Sequence, residues 1–274
     1  VSALQETNVA PIFVGGASRS GTTLLRVILN THPSIVCGPE LKVTPLVCRL
    51  WQDFHSAFFP TLRQHHLQRE DIARGFRDLL ASLLEKDRVA AHKPRVAEKS
   101  PDNVFFFPHL HHLFPDSPLI HVIRDGRDVV CSLLGMNWSD PRTGRRTEYT
   151  TDARKAAAYW VRAVQMGRAA AQRQPSLANR YFEIRYEQLI SDPEATLRPL
   201  FAFLGESWHP CVLRFYEQTH NLAGESSARQ VSAPINSSAL ARWQRELSSD
   251  DKAAVKEIAG PLLSELGYAA NDAW

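Results

Sequence analysis

The residues between Gly15 and Thr23 carry the first chemistry in the chain. Gly16-Ala17-Ser18-Arg19-Ser20-Gly21-Thr22-Thr23 keeps the G-x-x-x-x-G spacing of a phosphate-binding loop, but Thr22 stands where such a loop has its lysine. Ahead of it, Ile12, Phe13 and Val14 read as a short buried strand; behind it, Leu24, Leu25, Ile28 and Leu29 share roughly one helical face. A strand, a glycine-rich turn and a helix start gather backbone N–H groups at the positive end of a helix dipole, which suits an anion. Arg19 is the cation inside this loop. An ATP-splitting loop sets its lysine on the β- and γ-phosphates, so the missing lysine argues against ordinary phosphoryl transfer by a kinase-like enzyme. Taken alone, the stretch fits an anion cradle and a plain strand-to-helix connection about equally.

A second stretch repeats the grammar. Leu119–Ile123 reads as another buried strand, Arg124-Asp125-Gly126-Arg127 as its turn, and Asp128–Leu134 as a helix. Arg124 stands at the carboxyl end of its strand, where ligands lie in open α/β sheets. Ser132 follows eight residues on, about two helical turns, and can face the same side as the turn. An arginine and a hydroxyl make a clamp for a phosphate monoester. The competing reading is a surface Arg-Asp pair at a helix start. Two strand-turn-helix anion sites in one chain suggest a ligand with two separated phosphate groups.

The pair "GGASRSGTTLLRVIL" and "VIRDGRDVVCSLL" resembles the 5′-phosphosulfate loop and the 3′-phosphate site of sulfotransferases that use 3′-phosphoadenosine 5′-phosphosulfate (PAPS). With "NTHPSIVCGPE", "AEKSPDN", "RYEQLISDPEATLRPLFAFLG" and "RQVSAPINSSALARW", the likeness extends from Pro11 to about Tyr268 and is greatest to the tyrosylprotein sulfotransferase branch and its bacterial relatives. It implies a P-loop type α/β fold of three layers, a central parallel sheet flanked by helices. It implies transfer of a sulfuryl group from PAPS to a hydroxyl, with adenosine 3′,5′-bisphosphate as the other product and no metal. A peptide tyrosine is the favoured acceptor, with carbohydrate and phenolic hydroxyls left open.

The same resemblance distributes roles. Ser18, Arg19, Ser20, Gly21, Thr22 and Thr23 would cradle the 5′-phosphosulfate, and Arg124 and Ser132 the 3′-phosphate. Tyr186 matches a cofactor-side tyrosine, Glu40 the catalytic base, Lys99 a lysine on the bridging oxygen of the donor, and Ser227 a serine of the lid that acts in the transition state. Glu40 follows Gly38-Pro39 and is expected at a helix start; His32, before Pro33, is a rival base and otherwise a helix-end cap. One position departs from the family pattern: Ala233 stands where the lid has a lysine, which leaves Arg229 and Arg242 as candidate lid cations. Trp160 and Trp243 could stack on adenine, although tryptophans at helical spacing are more often core.

These groups need elements to hold them. Leu41–Phe54 and Arg69–Lys86 read as helices inserted, over about 41–95, between the first strand and a second at Val96–Glu98; they are expected to wall the acceptor cleft. A helix is expected over Asn103–Phe114, a strand over Arg180–Ile184, and helices over Ser191–Leu204 and near the carboxyl end. Ser139–Thr151 reads as a loop whose Arg142, Arg145 and Arg146 could give an acidic peptide a basic rim, although a solvated charge cluster is the more economical reading. Asp152 is placed to cap the long helix that carries Trp160. Residues 224–243 read as a lid over the cofactor.

Composition agrees without deciding. The 274 residues, 44% hydrophobic, suffice for a single domain with one sizeable core. A net charge of +3 permits an anionic cofactor, and no basic block or aromatic-basic interleaving suggests nucleic acid. Cys37, Cys48, Cys131 and Cys211 have neither metal-site nor disulfide spacing. No run is long and apolar enough for a membrane segment in this chain. A cytoplasmic location is the expectation, with an upstream anchor or leader compatible with the start at Val1, and a homodimer is allowed.

Overall fold

Five short apolar runs pair into one parallel sheet. β1 (Ile12–Gly15), β2 (Ile35–Cys37), β3 (Arg95–Lys99), β4 (Leu119–Ile123) and β5 (Tyr181–Arg185) lie in the order β2-β3-β1-β4-β5, and every neighbouring pair is parallel. The structure, a computed structural model, describes residues 10–140, 143–271 and 274. Side chains alternate between the two faces of the sheet, as the period of a strand requires. Phe13, Val96, Leu119 and Ile123 join a core closed by the Gly126–Leu134, Ala153–Arg173 and Ser249–Glu265 helices. Ile12, Val14, Ala97, Ile120 and Val122 join a second core closed by α1 (Thr22–Thr31) and the Pro193–Phe203 helix. These are the three layers of a doubly wound α/β fold.

The strand order places the site. From β1 the chain runs to β2 and β3 on one side, then crosses to β4 and β5 on the other. The helix after β1 covers one face and the helix after β4 the opposite face, which opens a crevice at the carboxyl ends of these adjacent strands. Val14 pairs with Lys99 in the β1–β3 register, so Lys99 ends its strand beside the loop that follows β1.

Several boundaries differ from expectation, each for a local reason. β2 went unread because it is only three residues long, between the His32-Pro33 turn and Gly38. The helix expected from Leu41 begins at Thr44, with Pro45 in its first turn, and Lys42 takes a left-handed φ of 60°. Glu40 therefore lies in an irregular segment ahead of the helix rather than at its start. The helix expected over Asn103–Phe114 splits into a 3₁₀ turn, Pro101–Phe106, and an α-helix, Phe107–Leu113, with Pro108 at the junction, where it has no N–H to continue the ladder. The loop from Ser139 contains one antiparallel bridge, Ser139 to Arg146, and a 3₁₀ turn at Glu148–Thr150; Arg142 lies outside the described residues. Asp152 caps its helix by accepting from the Lys155 N–H at 2.8 Å. No helix among the described residues is long and apolar enough to cross a membrane.

Candidate active site

A cleft of about 1490 Å³ opens over the carboxyl ends of β1, β3 and β4. Its floor is the glycine-rich loop, whose shape the neighbouring strand and Tyr186 dictate. Gly16 has φ +157°, and a Cβ there would sit 2.4 Å from the Val122 carbonyl oxygen. Gly21 has φ +95°, and its Cβ would sit 2.3 Å from the ring of Tyr186. Glycine is the residue that fits both. Gly21 begins α1 without a side-chain cap, which leaves the first N–H groups of the helix for an anion. Tyr186 thus supports the loop from beneath, with the Arg124 guanidinium 4.6 Å from its ring centre.

Arg19 joins the two expected anion sites. Its Nε donates to Ser132 Oγ at 3.0 Å, and its carbonyl accepts from Arg124 Nη1 at 3.0 Å. Its Nη1 donates to Ser226 Oγ (2.6 Å) and Ser227 Oγ (2.9 Å) in the segment expected to act as a lid. Burial first, then the charges of Arg124 and Arg242, hold the Arg19 pKa below its ordinary value. Arg124 is buried; it also donates to the Ala239 carbonyl and lies 3.7 Å from Asp128, yet its Nε has no partner among the described residues. Ser20 Oγ, fully buried in the loop, likewise lacks a partner among the described residues. These orphaned donors beside glycines that admit no side chain fit a ligand with separated phosphates, as the two sequence stretches suggested.

The cation missing from the loop comes from the next strand. Lys99 Nζ lies 3.4 Å from Thr23 Oγ1 and donates to Glu40 Oε1 at 2.9 Å. Lys99 is 1% exposed, so its charge is met by neighbouring carboxylates and not by solvent. Glu40 also has Lys42 Nζ at 3.8 Å from its other oxygen. Glu40, Lys99 and the loop therefore converge although they come from three separate segments.

Other expected residues are placed differently. Arg229 is exposed and outside the cleft lining, because it sits on the outer side of the short Ala228–Val231 helix. Arg242 also lies off the lining: it is committed to Glu246, one helical turn away, at 2.8 and 2.6 Å. Neither side chain lines the cleft near Ala233. Trp160 is fully buried and donates its Nε1 to the Arg124 carbonyl; Trp243 is buried under the Arg127 guanidinium. Both are core, not adenine platforms. His32 is buried and stacked on Phe201; its Nδ1 accepts from the Ser34 N–H, so its Nε2 donates to the Ser207 carbonyl, a structural histidine. Thr23 stays in the cleft lining, where its Oγ1 accepts from Lys99 Nζ at 3.4 Å and donates to Glu225 Oε2 at 2.7 Å.

Two groups escaped the sequence reading. Tyr159 accepts from the Ser18 N–H at 2.9 Å and stacks on Tyr149 at 4.1 Å, forming an aromatic wall. Glu225, in the lid, contacts Lys99 at 3.1 Å. Tyr159 sits in a regular helix and Glu225 in a stretch without periodicity, and neither position carries a local signal.

Residues 11–210 match the model of the sulfotransferase family. The chain belongs to the sulfotransferase family. Its glycine-rich loop, Glu40 and Arg124 line one cleft, with Lys99 of β3 buried against Glu40. This sulfotransferase is 29% identical over 270 residues to the protein-tyrosine sulfotransferase of Drosophila melanogaster, covering 94% of this chain and 51% of that protein. It is 30% identical over 273 residues to protein-tyrosine sulfotransferase A of Caenorhabditis elegans, covering 95% of this chain and 67% of the worm protein. The chain thus spans about half the length of the fly relative and two thirds of the worm one. Among solved structures, the sulfotransferase domain of the Synechococcus PCC 7002 olefin synthase superposes with a TM-score of 0.62 at 21% identity, covering 95% of this chain and 97% of that one. At that identity the likeness speaks for the fold.

Proposed function

We propose that this sulfotransferase moves the sulfuryl group of PAPS to the phenolic hydroxyl of a peptide tyrosine. The convergence of Glu40, Lys99 and Thr23 on the loop that holds Arg19 carries the reading. PAPS supplies the sulfuryl group in activated form as a phosphosulfate anhydride. Ser18, Ser20, Thr22 and the start of α1 receive its 5′ end, and Arg124 and Ser132 its 3′-phosphate. Glu40 takes the proton from the acceptor hydroxyl as that oxygen attacks. Lys99 and Arg19 hold the negative charge that grows on the leaving phosphate, where each charge-assisted hydrogen bond is worth roughly 1.5–3 kcal/mol. Ser226 and Ser227 keep the Arg19 guanidinium aimed into the cleft.

The acceptor side supports a peptide with acidic residues. Lys42, Arg49, Arg145, Arg146 and Arg162 line the cleft, while Tyr149 and Tyr159 offer a flat wall for an aromatic ring. The names of the fly and worm relatives point to the same acceptor. The experiment is sulfate transfer from PAPS to tyrosyl peptides with and without flanking glutamates, alongside a carbohydrate and a simple phenol. Preference for the acidic tyrosyl peptide is expected. Transfer to the sugar or the phenol alone would overturn the acceptor, and a thermal shift with ATP and magnesium but none with adenosine 3′,5′-bisphosphate would overturn the donor.

A further inference from the structure

Glu225 has no role in the chemistry described so far, yet it is built into the centre of the site. Its side chain is 7% exposed. The carboxylate accepts from Thr23 Oγ1 at 2.7 Å and from Lys99 Nζ at 3.1 and 3.2 Å, and it faces Arg26 Nε at 3.2 Å. Burial opposes its ionisation, but the Lys99 charge, the hydrogen bonds of Thr23 and Lys99 and the Arg26 charge prevail and hold its pKa below the usual value. Glu225 is therefore a carboxylate within the cleft.

Arg26, on α1 and 1% exposed, explains how Glu225 is seated. Its Nη1 donates to the carbonyls of Cys37 (3.3 Å) and Gly38 (3.2 Å), just ahead of Glu40. Its Nη2 donates to the Asn221 carbonyl at 2.9 Å, in the segment that leads to Glu225. One buried guanidinium thus ties the base-bearing segment to the root of the lid. Lys99 divides a single ammonium between two carboxylates, Glu40 at 2.9 Å and Glu225 at 3.1 Å.

We propose that Glu225, seated by Arg26, is a positioning residue that shares the Lys99 ammonium with Glu40 and so leaves Glu40 able to take a proton while the lid is closed. The inference rests on the reading of Glu40 as the base. A neighbouring cation favours the ionised carboxylate and a neighbouring anion disfavours it. Removing the Glu225 charge leaves Lys99 wholly to Glu40 and takes away a like charge; both changes make Glu40 a weaker base. The other charges near Glu40 are Lys42, Glu98 and Asp102, with the Tyr149 phenol, and those near Glu225 are Arg26 and Arg19. All of them stay in place in the test.

The test is the single-turnover rate at saturating PAPS and tyrosyl peptide, from about pH 5 to about pH 9, for the unaltered protein, Glu225→Gln and Glu225→Asp. In Glu225→Gln the acidic limb is expected to move down by about one pH unit, with a plateau at least about tenfold lower. Affinity for adenosine 3′,5′-bisphosphate is expected to change less than about threefold, and Glu225→Asp to return the limb toward its original place. Should Glu225→Gln fail to fold, Glu225→Ser is read in the same way. A limb that stays in place when the charge is removed overturns the proposal, whatever the plateau does. Glu40→Gln is measured alongside: its loss of turnover together with an unmoved limb in Glu225→Gln overturns this inference alone, whereas near-normal turnover in Glu40→Gln removes the base reading and this inference with it.

Discussion

Lys99 at the end of β3 donates to Glu40 at 2.9 Å, across 59 residues of sequence that hold most of the inserted helices. This contact sets the lysine that the glycine-rich loop lacks beside the carboxylate proposed as the base. A kinase-like loop carries its lysine within its own turn; here β1–β3 pairing delivers it from the neighbouring strand.

Replacing Glu40 by Gln keeps the shape and a hydrogen-bond partner for Lys99 but removes the proton acceptor. Turnover is expected to fall by about 10²–10⁴-fold, the usual contribution of a general base. Binding of adenosine 3′,5′-bisphosphate, followed by thermal shift, is expected to stay close to that of the unaltered protein. Turnover within a few-fold of normal would assign the proton to another group.

Arg124→Ala is expected to weaken adenosine 3′,5′-bisphosphate by about ten- to a hundredfold, one charge-assisted hydrogen bond or a little more, while adenosine 5′-monophosphate loses far less. Calorimetric titration of both nucleotides gives the comparison. Arg124 also holds the Arg19 and Ala239 carbonyls, so equal losses for the two ligands would mean that it only braces the loop.

Gly21→Ala puts a methyl group 2.3 Å from the Tyr186 ring at a φ of +95°. The cost is expected to be about 2 kcal/mol or more in urea unfolding, from strain and overpacking together. Gly205→Ala is the control, since its φ is +72° with nothing within 4 Å of the added carbon. Equal costs at both positions would show that the ring contact contributes nothing.

His121 is fully buried on β4, its Nδ1 2.7 Å from the Tyr181 hydroxyl. Burial, then the charges of Arg185 and Arg168, push its pKa down to about 3. The unfolded chain binds that proton near the ordinary histidine value of about 6.5, so between these two values it holds more protons than the folded one. Stability therefore falls as pH drops below about 6.5 and keeps falling toward about 3; by pH 5 the loss from this group is about 2 kcal/mol. Urea unfolding at pH 7 and pH 5 is expected to show a smaller acid loss in His121→Gln than in the unaltered protein. Identical losses would remove His121 as the cause.

Local patterns carried much of this protein in plain view. A strand followed by a turn and a helix is written within fifteen or twenty residues, so the loop of Gly16–Thr23, the Arg124 turn with Ser132 and the cap at Asp152 are all legible from neighbouring residue types. Short-range steric effects explain the misread boundaries: Pro45 and Pro108 moved helix starts, and a three-residue β2 offered too few alternations to read.

What the tertiary structure alone decided is which distant charges meet. Strand register set Lys99 next to Thr23, and Arg26 tied the Glu40 segment to the lid. Nothing local distinguishes Glu225 from a solvated glutamate, since its partners Thr23 and Lys99 lie 202 and 126 residues away. The same holds for Arg229 and Arg242, whose exposure and pairing depend on how the lid folds back. Residue type and spacing determined the anion loops because backbone geometry is local. The sharing of one buried ammonium by two carboxylates follows from strand order and from the burial of charge, and both exist only in the folded chain.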